Sequence, residues 1–205
     1  MLKPCYVFID ASNLFYGGEN RLNWRIDYEK LISYLRYRYG AKKIYYYSGV
    51  ETHGFEAESR STDDYPIGSL LNHLKEINKK GVRVREDILN KDIAKLKFLH
   101  KLQSFGYKLR LKPIKHIRNI DGSYKVKANC DVDLTLDMVR LKDDFNSFLL
   151  FSGDGDFELL LRYFKEKEYF FRIYGKSSNT AFVIKRNFSE EYIEFEKLKE
   201  IIKQK

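Results

Sequence analysis

Acidic residues stand at the ends of two apolar runs. Tyr6-Val-Phe-Ile9 leads into Asp10, and Phe148-Leu-Leu-Phe151 leads into Ser152-Gly-Asp154-Gly-Asp156. A third group, Asp131, Asp133 and Asp137, lies at the start and along the edge of a stretch with helical spacing. Carboxylates gathered at one point repel one another, and a cation relieves that repulsion. The four histidines, His53, His73, His100 and His116, are dispersed, and Cys5 and Cys130 are the only cysteines. An oxygen-only donor set suits a hard divalent ion, Mg²⁺ or Mn²⁺, and the water-activating chemistry such an ion supports. Plainer readings stay open for each segment. Asp156 would serve as the cap of a following helix, and Asp10-Ala-Ser-Asn13 would serve as an ordinary turn. Two glycines would let residues 152–156 turn tightly at positive φ and bring both aspartates to one point.

The elements that must position these acids alternate along the chain. Strands are expected at 6–9, 43–47, 82–85, 148–151, 169–174 and near 192–193. Helices are expected after Asp27 up to Gly40, from Pro66 to Gly81, over 93–102, 132–141, 157–167, 178–186 and 196–203. Residues 48–65 carry no period and read as a loop. Tyr107, Leu109 and Leu111 alternate with Lys108, Arg110 and Lys112, and Asp121-Gly122 is a strong turn signal. A hairpin pairing 107–112 with 124–127 follows, with one cationic face. The helix at 132–141 has two apolar faces (Val132, Leu136, Val139 and Leu134, Met138, Leu141), which predicts a largely enclosed helix. Asp133, Asp137 and Arg140 share its remaining edge, a spacing that also suits a tethering ion-pair network. The alternation argues for an α/β fold, a mainly parallel sheet covered by helices on both faces. Ligands of such sheets sit beyond the carboxyl ends of the strands. If the strands 6–9 and 148–151 are neighbours, Asp10 and Asp154 lie side by side at that rim.

Composition narrows the class. The 205 residues are 43% hydrophobic and 33% charged, as in a globular chain. No apolar run approaches the ~18 residues a membrane span needs. The first residues lack the apolar region and cleavage site of a signal peptide, so none is expected. Two cysteines cannot build a disulfide framework, and a reducing cytoplasm is the expected setting. No linker or repeat divides the chain, so residues 1–205 read as one domain. The net charge is +9. Residues 79–118 hold 13 Lys and Arg against Glu86, Asp87 and Asp92, and the rest of the chain is close to neutral. A solvated basic face accounts for part of this. The alternative is a phosphate-binding track, with Lys108, Arg110 and Lys112 on it, leading nucleic acid to acids that would otherwise repel it. Aromatic residues make up 16% of the chain, and Tyr37, Tyr39 and 45–47 are interleaved with Arg and Lys. Most of these tyrosines are expected in the core. The pattern also fits a second function, an RNA-binding module without catalysis.

Two motif matches lead elsewhere. Asp131-Val-Asp-Leu-Thr135 fits the nucleophile pattern of haloacid-dehalogenase-type phosphatases, but that nucleophile should follow a buried apolar strand. Asp154-Gly-Asp156 hints at a calcium loop, yet Leu159-Leu-Leu161 occupies the later ligand positions. Taken together, three segments resemble the NYN domain of the PIN-like nuclease superfamily, in its LabA-like group. They are Tyr6-Val-Phe-Ile-Asp-Ala-Ser-Asn13, Lys127 with Asp131-Val-Asp-Leu-Thr-Leu-Asp137, and Leu149-Leu-Phe-Ser-Gly-Asp-Gly-Asp-Phe157, followed by the return strand Phe170-Phe-Arg-Ile-Tyr174. The resemblance covers roughly residues 5–198. It implies a Rossmann-like sheet whose acidic rim binds Mg²⁺ or Mn²⁺ and hydrolyses RNA phosphodiesters, as an endoribonuclease. By this resemblance Asp10, Asp131, Asp154 and Asp156 are the catalytic metal ligands, and Asn13, Asp137 and Ser152 support them. Lys127 joins the RNA-contacting cations. Its segment, Lys127-Ala-Asn-Cys-Asp131, is one residue longer than the family's usual Lys-Gly-x-Asp. The expected partner is RNA, single-stranded or structured, with no membrane; a homodimer is left open.

Overall fold

The computed structural model describes residues 4–12, 24–56, 65–80, 85–118 and 124–204, with side chains at 117, 118 and 124–127 left out. In chain order the elements begin with β1 (Cys5–Asp10), α1 (Tyr28–Tyr39), β2 (Ala41–Val50) and α2 (Ile67–Lys79). Next come α3 (Glu86–Phe105), β3 (Lys108–Pro113), β4 (Lys115–Arg118), β5 (Tyr124–Lys127) and α4 (Asp131–Arg140). The remainder is β6 (Ser147–Phe151), α5 (Glu158–Glu166), β7 (Phe170–Gly175), α6 (Phe182–Asn187), β8 (Tyr192–Glu194) and α7 (Lys199–Ile202). The chain falls into two compact units, Met1–Tyr47 with Cys130–Lys205, and Ser48–Asn129.

In the first unit the strands β2, β1, β6, β7 and β8 lie side by side in that order, every pair parallel. β1 and the last four residues of β6 are wholly buried, which is why both read as continuous apolar runs. Side chains of period two feed two cores. Tyr6, Phe8, Tyr45, Tyr47, Phe148, Leu150, Phe171 and Ile173 face α4, α5 and α6. Phe148 anchors this side, stacked on Phe171 and edge-on to Phe164, each with 4.9 Å between ring centroids. Such aromatic pairs add roughly 0.5–1.5 kcal/mol each beyond their buried area. On the opposite face Tyr46 meets Tyr28 of α1, and Phe151 meets Phe195 just ahead of α7. The Tyr39 and Tyr174 hydroxyls, 2.5 Å apart, tie the end of α1 to β7. Helices on both faces of a parallel sheet confirm the α/β class.

Local signals explain several boundaries. Asp27 caps α1 by accepting the Lys30 N–H at 3.0 Å, and Gly40 ends it in the left-handed conformation, φ 62°. Gly106 ends α3 the same way. In the second unit β2 runs on to Val50, into the stretch expected to be loop, and β3 lies beside it. The hairpin differs from the expected one: β5 pairs antiparallel with β4, and Ile114 separates β4 from β3. The expected strand at 82–85 lies largely outside the described residues, and Arg85 precedes α3 as its N-cap. The last two expected helices are shorter: α6 starts only at Phe182, and a 3-10 turn at Phe195–Leu198 leads into α7.

The helix α4 is enclosed on one side only. Leu134 and Met138 are fully buried, whereas Val132 is 67% exposed and Leu136 and Val139 are exposed beside it. Cys5 and Cys130 are buried thiols outside any disulfide, and burial pushes the Cys5 thiol above its usual range. Both thiols should therefore react with an aromatic disulfide reagent at pH 8 only as fast as the chain unfolds. Immediate labelling of either in the native protein would contradict this burial.

Candidate active site

Because β1 and β6 are parallel neighbours with Ile9 opposite Phe151, Asp10 and Ser152 come next to each other at the carboxyl rim of the sheet. Asp10 is only 2% exposed. One carboxylate oxygen accepts the Ser12 N–H at 3.0 Å and the Ser12 hydroxyl at 2.5 Å. The other accepts the Ser152 hydroxyl at 3.1 Å. The Ser152 oxygen in turn accepts the Asp154 N–H at 3.2 Å, and the Asp154 carboxylate accepts the Asp156 N–H at 3.0 Å. A single run of hydrogen bonds thus links Ser12, Asp10, Ser152, Asp154 and Asp156. Burying a carboxylate is costly unless its oxygens find donors, and these donors supply them.

The glycines of this loop serve close approach. Neither Gly153 nor Gly155 has a positive φ, which among the described glycines is confined to Gly40, Gly54 and Gly106. A Cβ on Gly153 would lie 2.5 Å from the Thr180 hydroxyl and 2.8 Å from Thr180 Cα. The Gly153 carbonyl accepts the Ala181 N–H at 2.8 Å, so the segment after β7 is seated directly on the acidic loop. Asp154, rather than Asp156, caps the short turn Gly155–Phe157. Asp154 is half-buried and Asp156 is exposed.

Asp131 is the first residue of α4 and is half-buried, as is Asp133. Asp137 accepts the Tyr47 hydroxyl at 2.9 Å, which fastens α4 to β2. Asp131 follows a strand of the two-stranded hairpin in sequence and opens a helix. A haloacid-dehalogenase nucleophile belongs at the end of a buried sheet strand, so that reading is set aside. Asn13 lies outside the described residues.

Among the basic residues of the second unit, Lys108 is exposed, while Arg110 is buried at 9%. Lys112 is half-buried and donates to the Asn129 carbonyl at 3.0 Å. The expected uniform cationic face on β3 is therefore broken: Arg110 lies inward with its apolar neighbours, and Lys108 alone stands fully in solvent. Lys127 is placed directly opposite Lys115 in the β4–β5 register.

The donors at the rim are all oxygens, which fits a hard divalent ion. Among the described residues no three His, Cys, Asp or Glu side chains are grouped to enclose a metal ion by themselves. Mg²⁺ commonly takes only one or two carboxylates and completes its shell with water and substrate phosphate, so this donor set suits it. Ser12 and Thr180 were not singled out from sequence. A serine two residues after a buried aspartate is a local signal for the first; the second depends on a long-range contact that no local pattern records.

The NYN domain family model matches residues 4–196, and the chain belongs to that family, part of the PIN-like nuclease superfamily. A relative is the low amplitude and bright protein LabA of Synechococcus elongatus, 22% identical over 200 residues, covering 96% of this chain and 86% of that protein. A Vibrio parahaemolyticus protein of unknown function has a similar solved structure, with TM-score 0.57, 19% identity, and 90% and 88% of the two chains covered. The T5 D15 protein, co-crystallised with metal ions, aligns at TM-score 0.46 and 12% identity over 85% of this chain and 55% of its own. No helix among the described residues is long and apolar enough to cross a membrane.

Proposed function

We propose that the chain is a metal-dependent ribonuclease whose reaction takes place at the Asp10–Ser152–Asp154 rim. The observation that carries this reading is the Ser152 hydroxyl, which bonds the buried Asp10 carboxylate and receives the Asp154 N–H. Membership of a nuclease superfamily supports it. Asp10, Asp131, Asp154 and Asp156 are the proposed ligands of one or two Mg²⁺ or Mn²⁺ ions, each taking one or two of these carboxylates with water and phosphate completing its shell, and Asn13, Asp137 and Ser152 would support them. When bound, the ion supplies an activated water and offsets the charge that builds on the phosphate. The chain's own contribution is orientation. Ser12 and Ser152 fix both oxygens of Asp10, and the Tyr47 bond to Asp137 holds α4 in place.

The distribution of charge supports a nucleic-acid substrate, which we take to be RNA. The stretch 79–118 carries a net +10, and Lys115 stands opposite Lys127 in the β4–β5 register. Lys108, Lys112 and Lys127 are the proposed RNA-binding cations, and buried Arg110 drops out of the expected set.

Ser152→Ala should lower Mn²⁺-supported cleavage of labelled RNA by roughly 10- to 100-fold, the usual range for a residue that orients a metal ligand. RNA affinity should stay within about twofold, since hydroxyl removal leaves the cationic surface intact. Wild-type rates in this variant would overturn the assignment. RNA that binds to the wild-type chain yet survives in Mn²⁺ would identify a binding module instead.

A further inference from the structure

The short helix α6 is fastened at its start to the acidic loop and at its end to the first residue of α5. At its start the Ala181 N–H donates to the Gly153 carbonyl at 2.8 Å, and at its end Asn187 donates to Glu158 at 3.0 Å. A Cβ on Gly155, the residue between Asp154 and Asp156, would lie 3.1 Å from Ala181 Cβ and 3.3 Å from Val183 Cγ1. Phe182 sits between those two neighbours. Ile184 and Phe188 turn the core face of this helix inward, each 1% exposed. Phe182 is two residues before Ile184, on the opposite side, and is 73% exposed. One turn on, the Arg186 guanidinium lies 5.5 Å from the Phe182 ring centroid. A single exposed phenylalanine is ordinary on a protein surface. This one adjoins the acidic loop and carries a cation on its ring.

We propose that Phe182, braced by Arg186, stacks an unpaired base of the RNA beside the acidic rim. The inference rests on the ribonuclease reading and deepens it by naming the substrate class, RNA that is single-stranded at the cleavage point. Every base offers a π-face, so an aromatic platform next to a cation holds single strands without reading sequence. Arg186 meets the accompanying phosphate. Bases paired in a duplex present no free face to such a platform.

The test uses the whole chain in metal-free buffer, so that nothing is cleaved during the measurement. The probe is a short single-stranded RNA bearing one fluorescent adenine analogue, quenched on stacking, with its blunt duplex as the second probe. Phe182→Ala should weaken single-strand binding by roughly 5- to 100-fold and remove the quenching. Phe182→Trp should retain both. Duplex binding should be unchanged by Phe182→Ala. Wild-type affinity and quenching in Phe182→Ala, with the parent chain still cleaving RNA in Mn²⁺, would overturn this inference and leave the ribonuclease reading standing. Equal weakening of single strand and duplex would also overturn it. A parent chain that neither binds nor cleaves RNA would overturn both.

Discussion

Asp10→Asn is expected to reduce Mn²⁺-supported RNA cleavage by at least about 100-fold while shifting the melting temperature by no more than about 3 °C. The asymmetry comes from the hydrogen bonds. The remaining carbonyl oxygen of Asn can accept the Ser12 N–H and hydroxyl, as one carboxylate oxygen does now. The amide N–H₂ can then donate to the Ser152 oxygen, which has a lone pair to spare beside the Asp154 N–H it already accepts. Each partner keeps a bond, so the rim holds its shape. What disappears is the negative charge, the property a divalent ion requires. RNA-cleavage rate constants and thermal unfolding of the two proteins, measured together, check the split. Retained cleavage in Asp10→Asn would sink the site; lost folding would mean that the carboxylate is structural.

Gly153→Ala is expected to be the most destabilising single-methyl change at the site, lowering the melting temperature by roughly 2–12 °C. A new Cβ would meet both the side chain and the Cα of Thr180, and the backbone contact at 2.8 Å cannot be relieved by a rotamer change. Overpacking of this kind costs about 1–3 kcal/mol or more, and each kcal/mol is worth about 2–4 °C in a chain of this length. Pushing the segment away would also strain the bond from the Ala181 N–H to the Gly153 carbonyl. Thr180→Gly added to Gly153→Ala should recover only part of the loss, because it removes the hydroxyl and leaves the Cα. Thermal denaturation of the single and double variants provides the comparison. An unchanged melting temperature for Gly153→Ala would show that the two loops are not seated on each other.

Much of the fold was legible because burial leaves a plain local trace. β1 and β6 are covered on both faces, so they appear as unbroken apolar runs, and their terminal acids mark the rim. Asp27 and Gly40 bound α1 through cap chemistry that needs no tertiary information. The hairpin was harder. Asp121-Gly122 signals a turn, but 107–112 and 115–118 lie on the same side of it, and only pairing selects β4 as the partner. The burial of Arg110 was hidden for a related reason: alternation assigned it to the outer face, whereas three successive residues of β3, Leu109, Arg110 and Leu111, are all buried. On α4 the apolar residues Val132 and Leu136 suggested enclosure, yet they face solvent. At the site, Asp10, Ser152 and Asp154 followed from strand ends. Ser12 and Thr180 depend on contacts that only the folded chain creates.

The most direct test of the central claim is to incubate end-labelled RNA with the purified chain in Mn²⁺ and, in parallel, in EDTA, and to identify the product ends. Attack by an activated water with departure of the 3′ oxygen predicts Mn²⁺-dependent fragments bearing 5′-phosphate and 3′-hydroxyl ends, with none formed in EDTA. Intact RNA in both arms, or cleavage that persists in EDTA and leaves 2′,3′-cyclic phosphates, would contradict the account.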